Sequence, residues 1–488
     1  MNKIFKNFTL FFISIFAITS CEIESDLYVT NPEAPDDSIL ASDPVALEAT
    51  AQGLFRAWYM SNSNYYGPGM ALNTMADTSS CSWGNAGMKD LSSEPRAAFN
   101  NTSAYGNNVT RGMFNTMYSI ISDANLVQKA VNKPDVYSKF ENPKIVDAMS
   151  QFAQALAMGF SSLYFHKVYL SDEDGVAGTE TGAPPAEAMT FAITKLDAAI
   201  ATAKTITKSI PTAYFNGSIT SGADLVKVMN SYGARMLANN ARTKAERGAV
   251  NWAKVKTYVA AGVTADFNIN HDDIVWYDYF KTYLVYPGWA RIDMRVINMM
   301  DPNTDAYWDA TKSTYPVSTS ADARLLLDYK YLSGQNFRPE RGTYHYSSYR
   351  YGRYDNYISE WTVPTVEIPK AEMEMYHAEA ELWSGNVAAA KAIIDGGTRV
   401  NRGGLPAVAA TAADVLAAIH HERMVEMPLA SSGLSFWEMR GFDLLQKGTL
   451  LHFPIPGSAL ESIPADYYTF GGTTGTAGVD YSTGGWFN

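Results

Sequence analysis

Residues 372–406 read EMEMYHAEAELWSGNVAAAKAIIDGGTRVNRGGLP. Met373, Tyr376, Ala380 and Trp383 recur at three and four residues, which puts them on one face of a helix. Gly385-Asn386 makes a turn, and a second helix is expected from Val387 to about Arg399, with Gly403-Gly404 ending the segment. Two amphipathic helices joined by so short a turn fold back on each other and bury their apolar faces together.

The same signature spreads outward from this hairpin. Leu47, Ala51, Leu54 and Trp58 lie on one helical face, as do Met113, Met117, Ile120, Ala124, Val127 and Val131. A longer helix carries Ile145, Met149, Phe152, Leu156, Phe160 and Leu163; the next, introduced by Pro184-Pro185, carries Met189, Ile193, Leu196 and Ile200. Leu225, Met229, Tyr232 and Met236 mark another, and Asn251 is placed as an N-cap before Trp252, Val255 and Val259. Near the C-terminus a helix starts at Thr411 or Asp414 and holds Val415, Ile419 and Arg423. No strict 34-residue repeat is present, so the expected fold is mainly α, with stacked, tetratricopeptide-like hairpins in shape rather than in consensus.

The character changes near residue 264. Trp276 to Trp361 holds twenty aromatic residues in 86, while Pro, Gly, Asn and Asp interrupt any helical period. Long loops with short strands, set on a helical scaffold, are the expectation, and such loops are usually functional. The organisation reads as a signal peptide (1–20), an extended leader (21–45), a helical scaffold (46–263), an aromatic loop-rich ligand face (264–369) and a C-terminal helical segment with a Gly-rich tail (370–488).

The chain has 488 residues, enough for large cores without staples, and a formal charge of −12, which disfavours nucleic acid as a partner. Lys3 and Lys6 precede the apolar run Phe8–Ile18, which is too short to span a bilayer. Ile18-Thr19-Ser20-Cys21 resembles a bacterial lipobox, so Cys21 is expected to become the lipidated first residue of a secreted chain. Cleavage there removes two lysines and no acid and takes the charge to −14. Cys81 is then the only thiol left to pair, so no internal disulfide is expected.

In the order of these features the chain resembles the SusD/RagB family of surface nutrient-binding lipoproteins. The lipobox and the Asn31-Pro32 leader come first, followed by Met117–Asn125, Ala155–Leu170 and Pro185–Ile200. The most telling part is the hairpin quoted above, with Ala378-Glu379-Ala380-Glu381 and Val400–Pro406, followed by Glu422-Arg423, Glu426, Phe436–Arg440 and Phe453–Pro456. One departure is the stretch Pro428–Gly433, where the family usually carries a Glu-Gly pair. The resemblance implies a four-hairpin helical scaffold, an outer-membrane, outward-facing lipid anchor and a SusC-like TonB-dependent transporter as partner. It further implies capture of oligosaccharide, or in some members of peptide, without catalysis and without a cofactor.

Sugar rings present apolar C–H faces and polar edges, so a binder needs flat aromatic platforms beside amides, carboxylates or guanidinium groups. Trp83 and Asn85 lie in an early loop without helical period, a position at which family members often carry a binding aromatic. Trp276, Tyr279, Tyr283 and Trp289, with Arg291 close behind, form a second candidate group. Tyr349 and Arg350 belong to a third, where spacing of two at 344–346 and 349–351 suggests a strand with one tyrosine face. That third group also suits a protein interface.

Motifs for other chemistry fail. His421-Glu422 has Val425 where a zinc helix needs its second histidine, and neither a nucleophile elbow nor a phosphate loop is present. Asp172, Glu173 and Asp174 are candidate ligands for a structural Ca²⁺, with a solvated turn as the simpler reading. Carboxylate pairs such as Asp272-Asp273 are expected by chance among 50 acids. Three alternatives to a glycan binder stay open at this point: a peptide binder, a surface glycoside hydrolase with carboxylates that no motif marks, and a transporter subunit without its own ligand site.

Overall fold

The computed structural model describes residues 43–80, 85–101, 107–176, 181–309, 311–312, 315–334, 345–462, 465–471 and 475–485. Cys21, Cys81, Trp83 and Tyr344 lie outside the described residues. Helix α1 (Pro44–Ser63) opens with proline in its first turn, and the Asp43 side chain accepts the Val45 N–H at 2.9 Å. It begins within the stretch expected to be extended leader. The helices that follow are α2 (Gly69–Met75), α3 (Gly112–Val131), α4 (Pro143–Tyr164), α5 (Pro185–Ala203), α6 (Gly222–Asn239) and α7 (Trp252–Ala260). After them come α8 (Tyr279–Val285), α9 (Met294–Met300), α10 (Lys370–Trp383), α11 (Val387–Gly396), α12 (Ala412–Glu426) and α13 (Leu434–Gly441).

Long helices pack in chain order: α1 on α3, α3 on α4, α4 on α5, α5 on α6, α6 on α7, α7 on α10 and α10 on α11. The C-terminal hairpin therefore continues the N-terminal stack across the aromatic-rich region. Asn251 caps α7 as expected, its side chain accepting the Lys254 N–H at 3.0 Å. Helix α11 is shorter than expected: it stops at Gly396, and Thr398–Asn401 forms a separate turn after an extended Gly397.

Helix α4 is buried on every side over its second half, so it runs through the middle of the scaffold. Around it sits a cluster of rings. Trp58 meets Phe160 at 4.8 Å and Tyr232 at 5.0 Å between centroids, Phe55 meets Phe215 at 4.8 Å, and Trp437 lies 5.9 Å from Phe160.

The aromatic-rich region is pinned where it leaves and rejoins the helices. Phe267–Ile269 pairs antiparallel with Thr365–Ile368, Phe267 opposite Ile368. Ser79–Ser80 pairs with Arg291–Ile292, and Tyr329–Tyr331 pairs with Tyr349–Tyr351. The strand expected at 349–351 is therefore present. Its tyrosine face points inward: Tyr349 and Tyr351 are buried against Tyr331 and Tyr329 at 5.5 and 5.2 Å.

Buried ion pairs tie the C-terminal helices together. Arg235 donates through Nε and Nη2 to both oxygens of Glu372 at 2.8 Å, and its Nη1 reaches Glu367 at 2.6 Å. Arg247 and Arg423 share Glu379, and Arg423 also binds Glu438 at 2.7 Å. Arg324 spans Asp322, Glu422 and Glu426. Two further arginines use carbonyls instead of carboxylates: Arg440 binds Leu163 O, Leu451 O and Asn239 O, and Arg242 binds Ser162 O and Phe165 O. Leu451 lies in the loop after α13; the other four carbonyls are at or just after the ends of α4 and α6, where a cation complements the helix dipole.

Candidate functional site

Helix α8 sorts its residues by period. Phe280 and Leu284, four apart, face inward and are buried; Tyr279 and Tyr283, also four apart, are on the opposite side and half-buried. The outward pair is continued by its neighbours. Tyr279 lies 4.3 Å from Tyr277 and 5.9 Å from Tyr283; Tyr283 lies 4.6 Å from Trp289 and 4.8 Å from Tyr65, which in turn meets Tyr66 at 4.8 Å. Six rings thus form one unbroken surface chain, and exposed Tyr286 stands beside it.

Two arrangements hold this ridge in place. Asp278 caps α8: one oxygen accepts the Lys281 N–H at 2.8 Å and the other the Lys281 ammonium at 2.6 Å, all buried. Behind it the Tyr59 hydroxyl donates to His271 Nε2 at 2.9 Å while His271 Nδ1–H donates to Val363 O at 3.1 Å, which fixes the tautomer. Burial pushes the His271 imidazole below its ordinary value, with Asp278 pulling the other way, so the ring is a neutral strut. The second arrangement is a close approach. A Cβ on Gly69 would stand 2.7 Å from the Phe280 ring, so α2 meets α8 only because residue 69 is glycine. That contact sets the turn carrying Tyr65 and Tyr66 against Tyr283.

The sequence candidates divide. Tyr279, Tyr283 and Trp289 are brought together on the ridge. Trp276 is not: it is 5% exposed and packs on Phe55 and Tyr59, so it anchors the loop to the scaffold core. Tyr349 is 4% exposed and its hydroxyl accepts the Ser318 N–H at 2.8 Å, a core role rather than a ligand platform. Arg291 is buried and binds backbone carbonyls, not solvent. Arg350 is half-buried and grips Asp355, with 2.8 Å between its Nη2 and that carboxylate. Trp83 lies outside the described residues; Asn85 belongs by its backbone to the turn Asn85–Gly87. Tyr65 and Tyr66 were not singled out from sequence. Their signal is a tyrosine pair directly before Gly67-Pro68-Gly69, at the end of an apolar helical face.

Other chemistry-bearing groups have structural partners. Asp272 accepts three successive N–H groups, from Ile274, Val275 and Trp276, each at 2.9 Å, and is held below the usual carboxylate range by them despite the opposing effect of burial. Asp172 and Glu173 face Lys195 at 3.3 and 2.8 Å. His420 and His421 lean on Glu438 and Glu422. Burial alone would raise both carboxyls; Arg423 and then His420 bring Glu438 down to about 2, and His421 and Arg324 do the same for Glu422. Among the described residues no group of three His, Cys, Asp or Glu is placed to hold a metal, and no helix is long and apolar enough to cross a membrane. A groove of about 510 Å³ between α5, α6 and α7, lined by Met189, Ile193, Leu237 and Lys254, includes no ridge residue.

No protein-family model matches the chain, and no curated protein does. Solved structures do. A SusD superfamily protein from Bacteroides vulgatus is similar with a TM-score of 0.60 at 14% identity, over 86% of this chain and 97% of that one. A SusD-like carbohydrate binding protein from Bacteroides fragilis is similar with a TM-score of 0.57 at 13% identity, over 91% and 95%. A surface glycan-binding protein A from Bacteroides thetaiotaomicron is similar with a TM-score of 0.59 at 10% identity, over 87% and 98%. The fold of this chain is that of the SusD superfamily proteins.

Proposed function

We propose that this chain is a glycan-binding lipoprotein of the outer cell surface, anchored through Cys21, which captures oligosaccharide for a SusC-like TonB-dependent transporter. The carrying observation is the ridge of Tyr66, Tyr65, Tyr283, Tyr279, Tyr277 and Trp289. Tyrosine suits such a surface, because each ring offers a face to sugar C–H groups and a hydroxyl to the wet edge. A ridge is open along its length, so it accepts a chain of sugars passing over it rather than a single ring enclosed in a pocket. Tethering to the transporter would raise the effective concentration of captured glycan at the pore, so single-site affinity need not be high.

The neighbouring folds support the reading: one is a SusD-like carbohydrate binding protein and another a surface glycan-binding protein. A non-catalytic role is supported by the motif acids Glu372, Glu379, Glu422, Glu426 and Glu438, all of which are occupied by buried arginines. The test is affinity electrophoresis against soluble starch, laminarin, xylan and pectin, with reducing-sugar release read on the same samples. Retardation by one class without release is the expected result; release would replace the binder with a hydrolase, and no retardation by any glycan would overturn the proposal.

A further inference from the structure

Arg291, like Arg440 and Arg242, is a buried cation that binds carbonyls, but it serves a loop rather than the ends of long helices. It is 2% exposed, yet among the described residues no carboxylate pairs with it. Arg295, four residues on, shows the ordinary arrangement, binding Asp293 at 3.0 Å and Asp77 at 2.9 Å. Burial, aided by nearby Arg350, pushes the Arg291 guanidinium below its usual range, although the Tyr346 ring opposes this. A buried cation without a counter-ion is costly, so what it does hold is informative.

It holds a turn. Arg291 Nη1 donates to Pro287 O at 2.8 Å and to Ala290 O at 3.0 Å, the carbonyls on either side of Gly288-Trp289. The Trp289 N–H donates to Tyr286 O at 3.1 Å and closes the same turn. The guanidinium lies over the buried Tyr346 ring, 5.3 Å from its centroid, which fixes its plane. At the other end of the segment, Arg350 Nη1 reaches Val285 O at 3.4 Å while gripping Asp355. The segment that presents Tyr286 and Trp289 is therefore fastened at both ends from beneath.

We propose that Arg291 is a positioning residue for the glycan platform: by clamping the carbonyls of Pro287 and Ala290 it holds Trp289 in register with Tyr283 before ligand arrives. The inference rests on the glycan-binding reading above. A preordered platform binds without the cost of ordering a loop. Both hydrogen bonds leave one nitrogen, Nη1, so what arginine adds over a lysine ammonium is its planar group lying over the Tyr346 ring, which holds that nitrogen between the two carbonyls.

The test uses the full chain with Arg291→Ala, Arg291→Lys and Trp289→Ala. Amide hydrogen exchange over 286–291 is read without ligand, and binding is read by electrophoretic retardation in whichever of starch, laminarin, xylan or pectin retards the native protein most. R291A is expected to speed exchange of the turn and to weaken retardation by about tenfold, with R291K between it and the native chain. Millimolar guanidinium ion, but not sodium chloride or urea at the same concentration, should restore retardation to R291A and not to W289A. Native-like exchange in R291A overturns the proposal. So does fast exchange in R291A with undiminished binding while W289A has lost it. If R291A does not fold, R291K decides by the same two readings. Native-like retardation of W289A would instead sink the platform reading itself, and the exchange measurement, which needs no glycan, keeps the two failures apart.

Discussion

Two chains of aromatic rings run through this molecule. The inner one links Phe55, Trp58, Phe160, Tyr232 and Trp437; the outer one links Tyr66, Tyr65, Tyr283, Tyr279, Tyr277 and Trp289. Their ring-to-ring spacings are similar, and both use edge-on packing. What differs is composition and backing. The inner chain is mixed and covered on all sides; the outer is almost entirely tyrosine and is covered on one. Ring contact by itself therefore does not distinguish a core from a platform. The side left open does, and it is set by which helical positions the next layer of chain covers.

The largest expected effect of a single substitution separates the two chains directly. Trp58→Ala should lower unfolding free energy by about 3–5 kcal/mol, read from urea denaturation, because it empties a fully buried site. Tyr283→Ala should leave that midpoint nearly unchanged. A large stability loss at Tyr283 would mean that the ridge is core after all.

Acid should lower the stability of the fold through its histidines. Burial, with nearby cations adding to it, pushes His166 down to about 3 and His452 to about 4, against 6.5 for a free imidazole. Asp480 opposes the shift at both; Lys167 adds to it at His166, and Arg242 and Arg440 add to it at His452. The unfolded chain thus takes up protons below about 6.5 while the folded chain does not, so stability is whole above that pH and falls as pH drops toward 4. The slope should approach about 1.4 kcal/mol per pH unit for each histidine. Urea midpoints at pH 7, 5.5 and 4.5 check this, and His452→Gln should flatten the curve; a flat curve in the native chain would contradict it.

Next in size is the loss of binding on the ridge. Trp289→Ala or Tyr283→Ala should each weaken glycan binding by about 1 kcal/mol, roughly five- to tenfold in retardation, with unfolding unaffected. The smallest effect is Tyr279→Phe, expected to cost a few tenths of a kcal/mol to about 1 kcal/mol of binding through the lost hydroxyl alone. Equal losses for Y279F and Y279A would show that the hydroxyl, not the face, does the binding at that ring.

The helical stack was legible because its signal is periodic: the faces at Leu47–Trp58 and Ile145–Leu163 bury as their spacing predicts, and so do Met373, Tyr376 and Ala380, whereas Trp383 at the end of α10 is exposed where the stack stops covering that face. Inside the aromatic region the same reasoning found the strand at 349–351 but not its direction, since a period of two marks a shared face without saying which layer covers it. Trp276 was misplaced for a similar reason: it sits beside Tyr277, but alternate residues there point to opposite layers. Tyr65 and Tyr66 join the ridge through a glycine contact some two hundred residues away in sequence, which no local pattern records. The motif acids Glu379, Glu422 and Glu438 were visible as an ordered set, yet their partners, Arg247, Arg324 and Arg423, only become evident once the helices are stacked.

The antiparallel pair Phe267–Ile269 with Thr365–Ile368 has a consequence for how such a molecule diversifies. Because the region between them departs from and returns to adjacent points, it behaves as a cassette. Its contents can be exchanged without rerouting the supporting helices, provided the replacement keeps its inward anchors: a ring for the Phe55–Tyr59 socket filled by Trp276, one for the socket over Gly69 filled by Phe280, and the Arg324 cation that pairs with Glu422 and Glu426. Selection for a new ligand can then rewrite the outward positions of α8 and its flanking turns while the scaffold stays as it is.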